Sequence, residues 1–194
     1  MPNLVQNVIA GKPLATGGIY VAPMGTALPT DTTTALDPAF VSLGYISEEG
    51  VSESMSRDTS KIKAWGGDVV KIVQSEHSVT YSYSMIESAS AAVLKEVYGA
   101  ANVTFTAATA SAGNQTVARV TSEQLPHLVR VIEIKDGDAR IRIVLPDSQI
   151  TEQGDITYAD ADVIAYPVTL EAFADPADGV TKAYKYSDDG KKTP

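Results

Sequence analysis

The chain contains no cysteine, which excludes disulfides and thiolate metal sites and leaves stability to packing or assembly. Its only histidines are His77 and His127. His77 falls in a turn-like segment, and His127 follows Pro126 at the start of a strand, so both read as structural. No serine lies in a Gly-x-Ser-x-Gly setting and no His-Asp partner can be assigned, so catalysis is not expected. Basic residues are scarce: 15 Lys and Arg stand against 24 Asp and Glu, for a net charge of -9 over 194 residues. Binding to a phosphate backbone needs clustered Lys and Arg, so nucleic-acid recognition is disfavoured and the acidity serves solubility. No apolar run approaches the ~20 residues that cross a bilayer. The first residues lack the basic-then-apolar order of a secretory signal, so synthesis in the cytoplasm and no membrane association are expected. Gly17-Gly18 and Gly66-Gly67 precede strand-like segments, without the helix N-terminus that a phosphate loop uses. Asp155, Asp160 and Asp162 cluster, and Asp175-Pro176-Ala177-Asp178-Gly179 offers further oxygens. Neither matches a calcium loop, and Asp is common in turns, so no metal or cofactor is assigned.

What is present is an ordinary globular composition, 44% hydrophobic and 20% charged, which suits one domain over residues 1–194. An N-terminal arm occupies 1–18 and a first strand 19–22. Residues 23–38, rich in proline and threonine, read as an irregular extended loop. A second strand is expected over 40–46. Residues 47–60 are rich in Ser, Glu and Asp without a clear period, so 47–64 reads as a long inter-strand loop that ends in apolar Ile62, Ala64 and Trp65. Loops of that length inside compact domains are usually functional or disordered.

Two strands, 69–74 and 78–86, then flank a turn at Ser75-Glu76-His77. In the second, Val79, Tyr81, Tyr83 and Met85 share one face, and Ser78, Thr80, Ser82 and Ser84 share the other. A single helix is expected over 88–98, capped by Ser88 or Ser90 and stopped at Gly99, with Val93, Leu94, Val97 and Tyr98 on one side. The next hairpin turns at Asp136-Gly137 in type I′ geometry, which pairs Glu133 with Arg140 and Lys135 with Asp138. Ile132, Ile134, Ile141, Ile143 and Leu145 form its buried face; Arg130 falls on that face without an assigned partner. A strand over 163–173 aligns Ile164, Tyr166, Val168 and Leu170, with Pro167 at an edge or bulge. A terminal strand around 182–186, within the C-terminal stretch 175–194, completes the chain. Many short strands and one helix predict a mainly β, α+β fold: an antiparallel sandwich or barrel-like domain.

Several peptide words follow one another in the first third of the chain. They are Gly-Gly-Ile-Tyr-Val-Ala-Pro (17–23), Gly-Thr-Ala-Leu-Pro-Thr-Asp (25–31), Ala-Leu-Asp-Pro-Ala-Phe (35–40), Leu-Gly-Tyr-Ile-Ser-Glu-Glu-Gly-Val (43–51) and Lys-Ile-Lys-Ala-Trp-Gly-Gly (61–67). This succession resembles the major tail proteins of long-tailed bacteriophages of the siphophage or prophage type. The match is concentrated in residues 17–70.

The resemblance implies a structural virion protein, located in the tail and non-catalytic. It implies a β-sandwich flanked by a helix, with six copies closing a ring and rings stacking into the tube through which DNA is ejected. Implied partners are copies of itself and the tape measure, tail tip and tail terminator proteins, with DNA passing through the lumen without specific binding. By the same analogy the N-terminal arm and the long loop supply contacts between subunits or rings: Leu4, Val5, Ile46, Val51, Met55, Ile62 and Trp65. Trp65, the single tryptophan, reads from sequence alone equally as a core anchor. Ser78, Thr80, Ser82 and Ser84 are expected to face the lumen, because their face is small and uncharged. The alternative to the tube subunit is a non-catalytic binding module, a fibre or carbohydrate-binding sandwich with exposed aromatics.

Overall fold

The computed structural model describes residues 8–14 and 17–191. Ten strands and one α-helix follow in order: β1 (Ile19–Pro23), β2 (Val41–Ser42), β3 (Ile46–Lys63), β4 (Val69–Met85), α1 (Ala91–Tyr98), β5 (Val103–Thr106), β6 (Gln115–Ala118), β7 (Leu128–Asp136), β8 (Ala139–Gln153), β9 (Tyr166–Ala172) and β10 (Tyr184–Asp188). The main sheet runs β2-β1-β7-β8-β9-β4-β3, with β10 also paired to β8, and every pairing is antiparallel. β5 and β6 form a separate two-stranded sheet. The chain therefore has the mainly β, antiparallel architecture with a flanking helix that its sequence predicts.

β8 holds this arrangement together because it serves two sets of neighbours. Its first half pairs with β7 on one edge and β10 on the other, and its second half pairs with β9. The β7 register shifts between Leu128/Ser148 and Arg130/Leu145. Pro146 falls in that shift, where its missing N–H breaks no ladder bond. The core fills the space between the two halves of the sheet. Ile19, Leu43, Tyr81, Met85, Ile132, Leu145 and Leu170 are each almost fully buried there, with Val93 and Val97 of α1 above them. Burial of one apolar face per element is the dominant stabilising term.

α1 starts after Ser90, whose carbonyl accepts the Leu94 N–H, and stops at Gly99 with φ 87°. A positive φ is costly for any residue with a Cβ, so this glycine ends the helix. On β4 the apolar set Val79, Tyr81, Tyr83 and Met85 is buried as the alternation predicts.

Five readings are corrected. Residues 47–64 are not a loop: β3 is an 18-residue strand that, past an irregularity between Ile46 and Val51, pairs with the 17-residue β4 from Val51 to Lys63. Hydrophobic period reports burial, and this strand has almost no core beneath it, so its sequence carried no period to read. Ser75-Glu76-His77 is likewise no turn. Asp58 faces Glu76 while Thr59 faces Gln74, so Ser75 is the extra residue of a β-bulge inside β4. The β7–β8 turn lies one residue further on, at Gly137-Asp138, with Asp136 opposite Ala139. Gly137 has φ 61° and Asp138 is not positive, the type II′ pattern, so Glu133 faces Arg142 and Lys135 faces Arg140. Pro167 lies neither at an edge nor at a bulge but second in the internal strand β9, opposite Ser84. The expected strand over 40–46 shrinks to Val41–Ser42, because the chain turns at Gly44 (φ 72°) before β3 begins.

Candidate assembly surface

The feature that sets this molecule apart is the β3–β4 hairpin. Its base is part of the core sheet, but every residue from 54 to 76 is exposed. Beyond Met55 and Val79 the two strands leave the body and continue to Lys63 and Val69. At ~3.4 Å per residue the arm from Met55 to Lys63 reaches roughly 27 Å. A two-stranded ribbon in water is at best marginally stable alone. Yet its side chains are not those of a solvated ribbon. Met55, Ile62, Val69, Val70, Ile72 and Val73 are all exposed, and Trp65 at the tip is 107% exposed. The tip closes through Ala64 N–H to the Asp68 carbonyl (2.8 Å) and Gly67 N–H to the Ala64 carbonyl (3.0 Å). Gly66 (φ 113°) and Gly67 (φ 99°) supply the backbone that this turn needs and present the indole outward.

The root of the arm is held by side chains. The Tyr81 hydroxyl donates to Glu53 (2.9 Å), and Lys185 of β10 donates to the same carboxylate (2.6 Å). Burial, and then the bond to Glu53, push the Tyr81 phenol well above its ordinary value. Arg57 donates to Gln74 further out (3.1 Å). His77 has its Nε2 enclosed without a hydrogen-bond partner, and burial, then Arg57 and Lys182, lower its pKa from the ordinary 6.5.

The second feature is the outer face of the same strands. Ser78, Thr80, Ser82 and Ser84 point away from the core and are half-buried. Opposite them on β3 stand Ser56, Ser54 and Ser52, and on β9 Glu171, Thr169 and Pro167. Ser82 and Thr169 share a hydroxyl–hydroxyl bond (2.9 Å), and Ser78 donates to Glu171 (2.8 Å). Lys182 is tied to Glu171 (3.6 Å) and to the His77 carbonyl (2.6 Å). The result is a three-strand surface of small hydroxyls with the paired Glu171 at one end and Glu49 and Glu152 beside Ser52, Ser82 and Ser84 at the other.

Of the residues singled out in the sequence, Met55, Ile62 and Trp65 share the free arm. Ile46 and Val51 instead pack against the core at the arm's base. Leu4 and Val5 lie outside the described residues. Sequence reasoning missed Val69, Val70, Ile72 and Val73, because apolar residues clustered in a short strand read as core. It also missed Thr169 and Glu171, which only the β4–β9 register brings to the polar face.

A third finding accounts for Arg130. It is 1% exposed. Its Nε donates to Glu96 of α1 (2.8 Å), and its Nη1 donates to the Ser148 carbonyl and hydroxyl (both 2.8 Å). Burial opposes the guanidinium charge, but Glu96 and Tyr83 together outweigh it and raise the pKa. Burial and Glu96 together push the neighbouring Tyr83 phenol up. The pair fixes α1 to the sheet. A second buried pair, Arg142 with Glu133 (2.7 Å), binds the Asp31 and Thr34 carbonyls (both 2.7 Å) and pins the 24–40 segment over the other face of β7 and β8. Two backbone N–H groups, those of Thr34 and Thr33, hold the Asp31 carboxyl far below its ordinary range.

Among the described residues no group of three or more His, Asp or Glu side chains is arranged to hold a metal ion, and no helix is long and apolar enough to cross a membrane. Residues 6–193 match the family described as phage tail tube protein. The chain belongs to the phage tail tube protein family. No curated protein matches it. Among solved structures, this tail tube protein is similar to the tube-terminating cap of the anti-feeding prophage, with 10% identity and a TM-score of 0.43 over 97% of this chain and 100% of that one. It is also similar to a chain of the sheath–tube complex of an extracellular contractile injection system, PVC, in its extended state. There the identity is 8% and the TM-score 0.47, over 96% of this chain and 100% of that one. Membership of the family makes the protein a structural component of the phage tail.

Proposed function

We propose that this protein is the major subunit of a tail tube, closing into rings of six copies that stack into the conduit for DNA ejection. One observation carries the reading: β3 and β4 present a small, hydroxyl-rich outer face at their base and an apolar, unsupported arm beyond it. The face suits a channel wall, and the arm requires a partner. DNA must slide without sticking, and a wall of hydroxyls with its single lysine already paired offers phosphate no free cation. The free edge of β3 leaves backbone N–H and C=O groups open to another chain. Contacts that close by rotation make a ring, and repetition along the axis makes a tube. Tape measure, tail tip and terminator proteins are the natural further partners, with assembly in the host cytoplasm before incorporation into the virion. The protein does no chemistry in this role. A glycan-binding module is disfavoured because Tyr81 and Tyr83 are buried, 0% and 4% exposed, and form no aromatic platform.

The wall is tested by placing lysines on it. Phage carrying Thr80→Lys, Ser82→Lys and Ser84→Lys together should assemble tails but eject DNA several-fold more slowly at low salt, with the defect relieved as salt rises. Unchanged ejection kinetics in particles with normal tails would remove these residues from the lumen.

A further inference from the structure

The tip of the arm differs in charge from the rest of the molecule. Between residues 61 and 71, Lys61, Lys63 and Lys71 outnumber Asp68, a local charge of +2 in a chain whose total is -9. An apolar tip ringed by lysines therefore faces an acidic population of copies of itself. The ladder from Val51/Tyr83 to Lys63/Val69 keeps the arm extended and its own tip clear of its own body.

A receiving site of matching character lies beside α1. A groove of about 520 Å³ is walled by Val21, Pro23, Val41, Ala92, Leu125 and Leu128. Its floor is the Arg130–Glu96 pair, whose charges are already matched, and Lys95 stands on its wall. The volume is in the ~300–1,000 Å³ range of sites that enclose a side chain or small ligand. Past Leu125 and Ile150, which line both, the groove continues into a trough of about 310 Å³ carrying Glu123 and Glu152. Neither Lys nor Arg lines that trough. An apolar slot with a lysine at its wall, opening into an acidic trough, is the complement of an indole beside Asp68 with lysines behind it.

We propose that the hairpin tip of one copy docks in this groove of a second copy, with Trp65 in the apolar slot, Asp68 toward Lys95, and Lys63 and Lys71 toward Glu123 and Glu152. This rests on the tube-subunit reading and gives that reading its joint. A buried tryptophan supplies the anchor, and the charges set register and steer encounter.

The absence of cysteine makes the test direct. Chains carrying Asp68→Cys are mixed with chains carrying Val41→Cys under conditions where electron microscopy shows rings or tubes, then oxidised. The mixed disulfide dimer should form several-fold more than with a control partner carrying Val180→Cys, a site 79% exposed and outside the groove. Adding Lys63→Glu and Lys71→Glu to the tip should suppress it, and Glu123→Lys with Glu152→Lys on the partner should restore it. Rings or tubes in which Val41→Cys and Val180→Cys cross-link equally overturn the docking and leave the tube reading intact. Unsubstituted protein that forms neither rings nor tubes at any concentration overturns the tube reading and the docking with it.

Discussion

At the scale of single residues, the hardest position to read was Arg130, a cation on the apolar face of a strand. Its partners are Glu96, 34 positions away, and Ser148, 18 away, so nothing in the local sequence could name them. A buried ion pair is costly to form but more costly to break, because removing one partner strands the other charge. Arg130→Met should therefore lose about 3–5 kcal/mol in urea unfolding. Adding Glu96→Leu should regain most of that loss, since two apolar groups of similar volume replace the pair. A single variant as stable as the unsubstituted protein would mean that the pair does not clamp α1. By contrast Val79, Tyr81, Tyr83 and Met85 were legible at once, because strict alternation in a strand states which side meets the core.

At the scale of elements, α1 and the long strands of the body were legible from period, cap and turn residues. The hairpin was not, and the reason is physical. Its distal half is a strand by backbone pairing alone, without a buried face to imprint a period on Thr59, Ser60, Lys61 and their neighbours. The bulge at Ser75 then imitated a turn. The β7–β8 register was misplaced by a similar subtlety, since Asp136-Gly137 and Gly137-Asp138 are both plausible turn pairs and only Gly137 takes the positive φ. An arm outside the core should be dispensable for folding and indispensable for association. Replacing residues 59–75 by an Asn-Gly turn should keep a β-rich circular dichroism spectrum and a melting temperature within a few degrees, while abolishing assembly. Loss of the folded body would show that the arm contributes to the core after all.

At the scale of the whole molecule, the peptide words of the first third pointed to the tail tube family, and the family match over residues 6–193 places the chain there. Composition contributed the exclusions and little else, because the polar face and the apolar arm are made of common residues whose meaning comes from β3, β4 and β9 lying side by side. In the proposed assembly the same two strands supply a smooth wall within one subunit and a reach toward another. A reconstruction of the assembled tail by cryo-electron microscopy tests this most directly. Density should place Thr80, Ser82 and Thr169 toward the tube axis, with Trp65 buried against a second copy. The account is contradicted if that face lies on the outside of the tube, or if the β3–β4 arm folds back onto its own subunit.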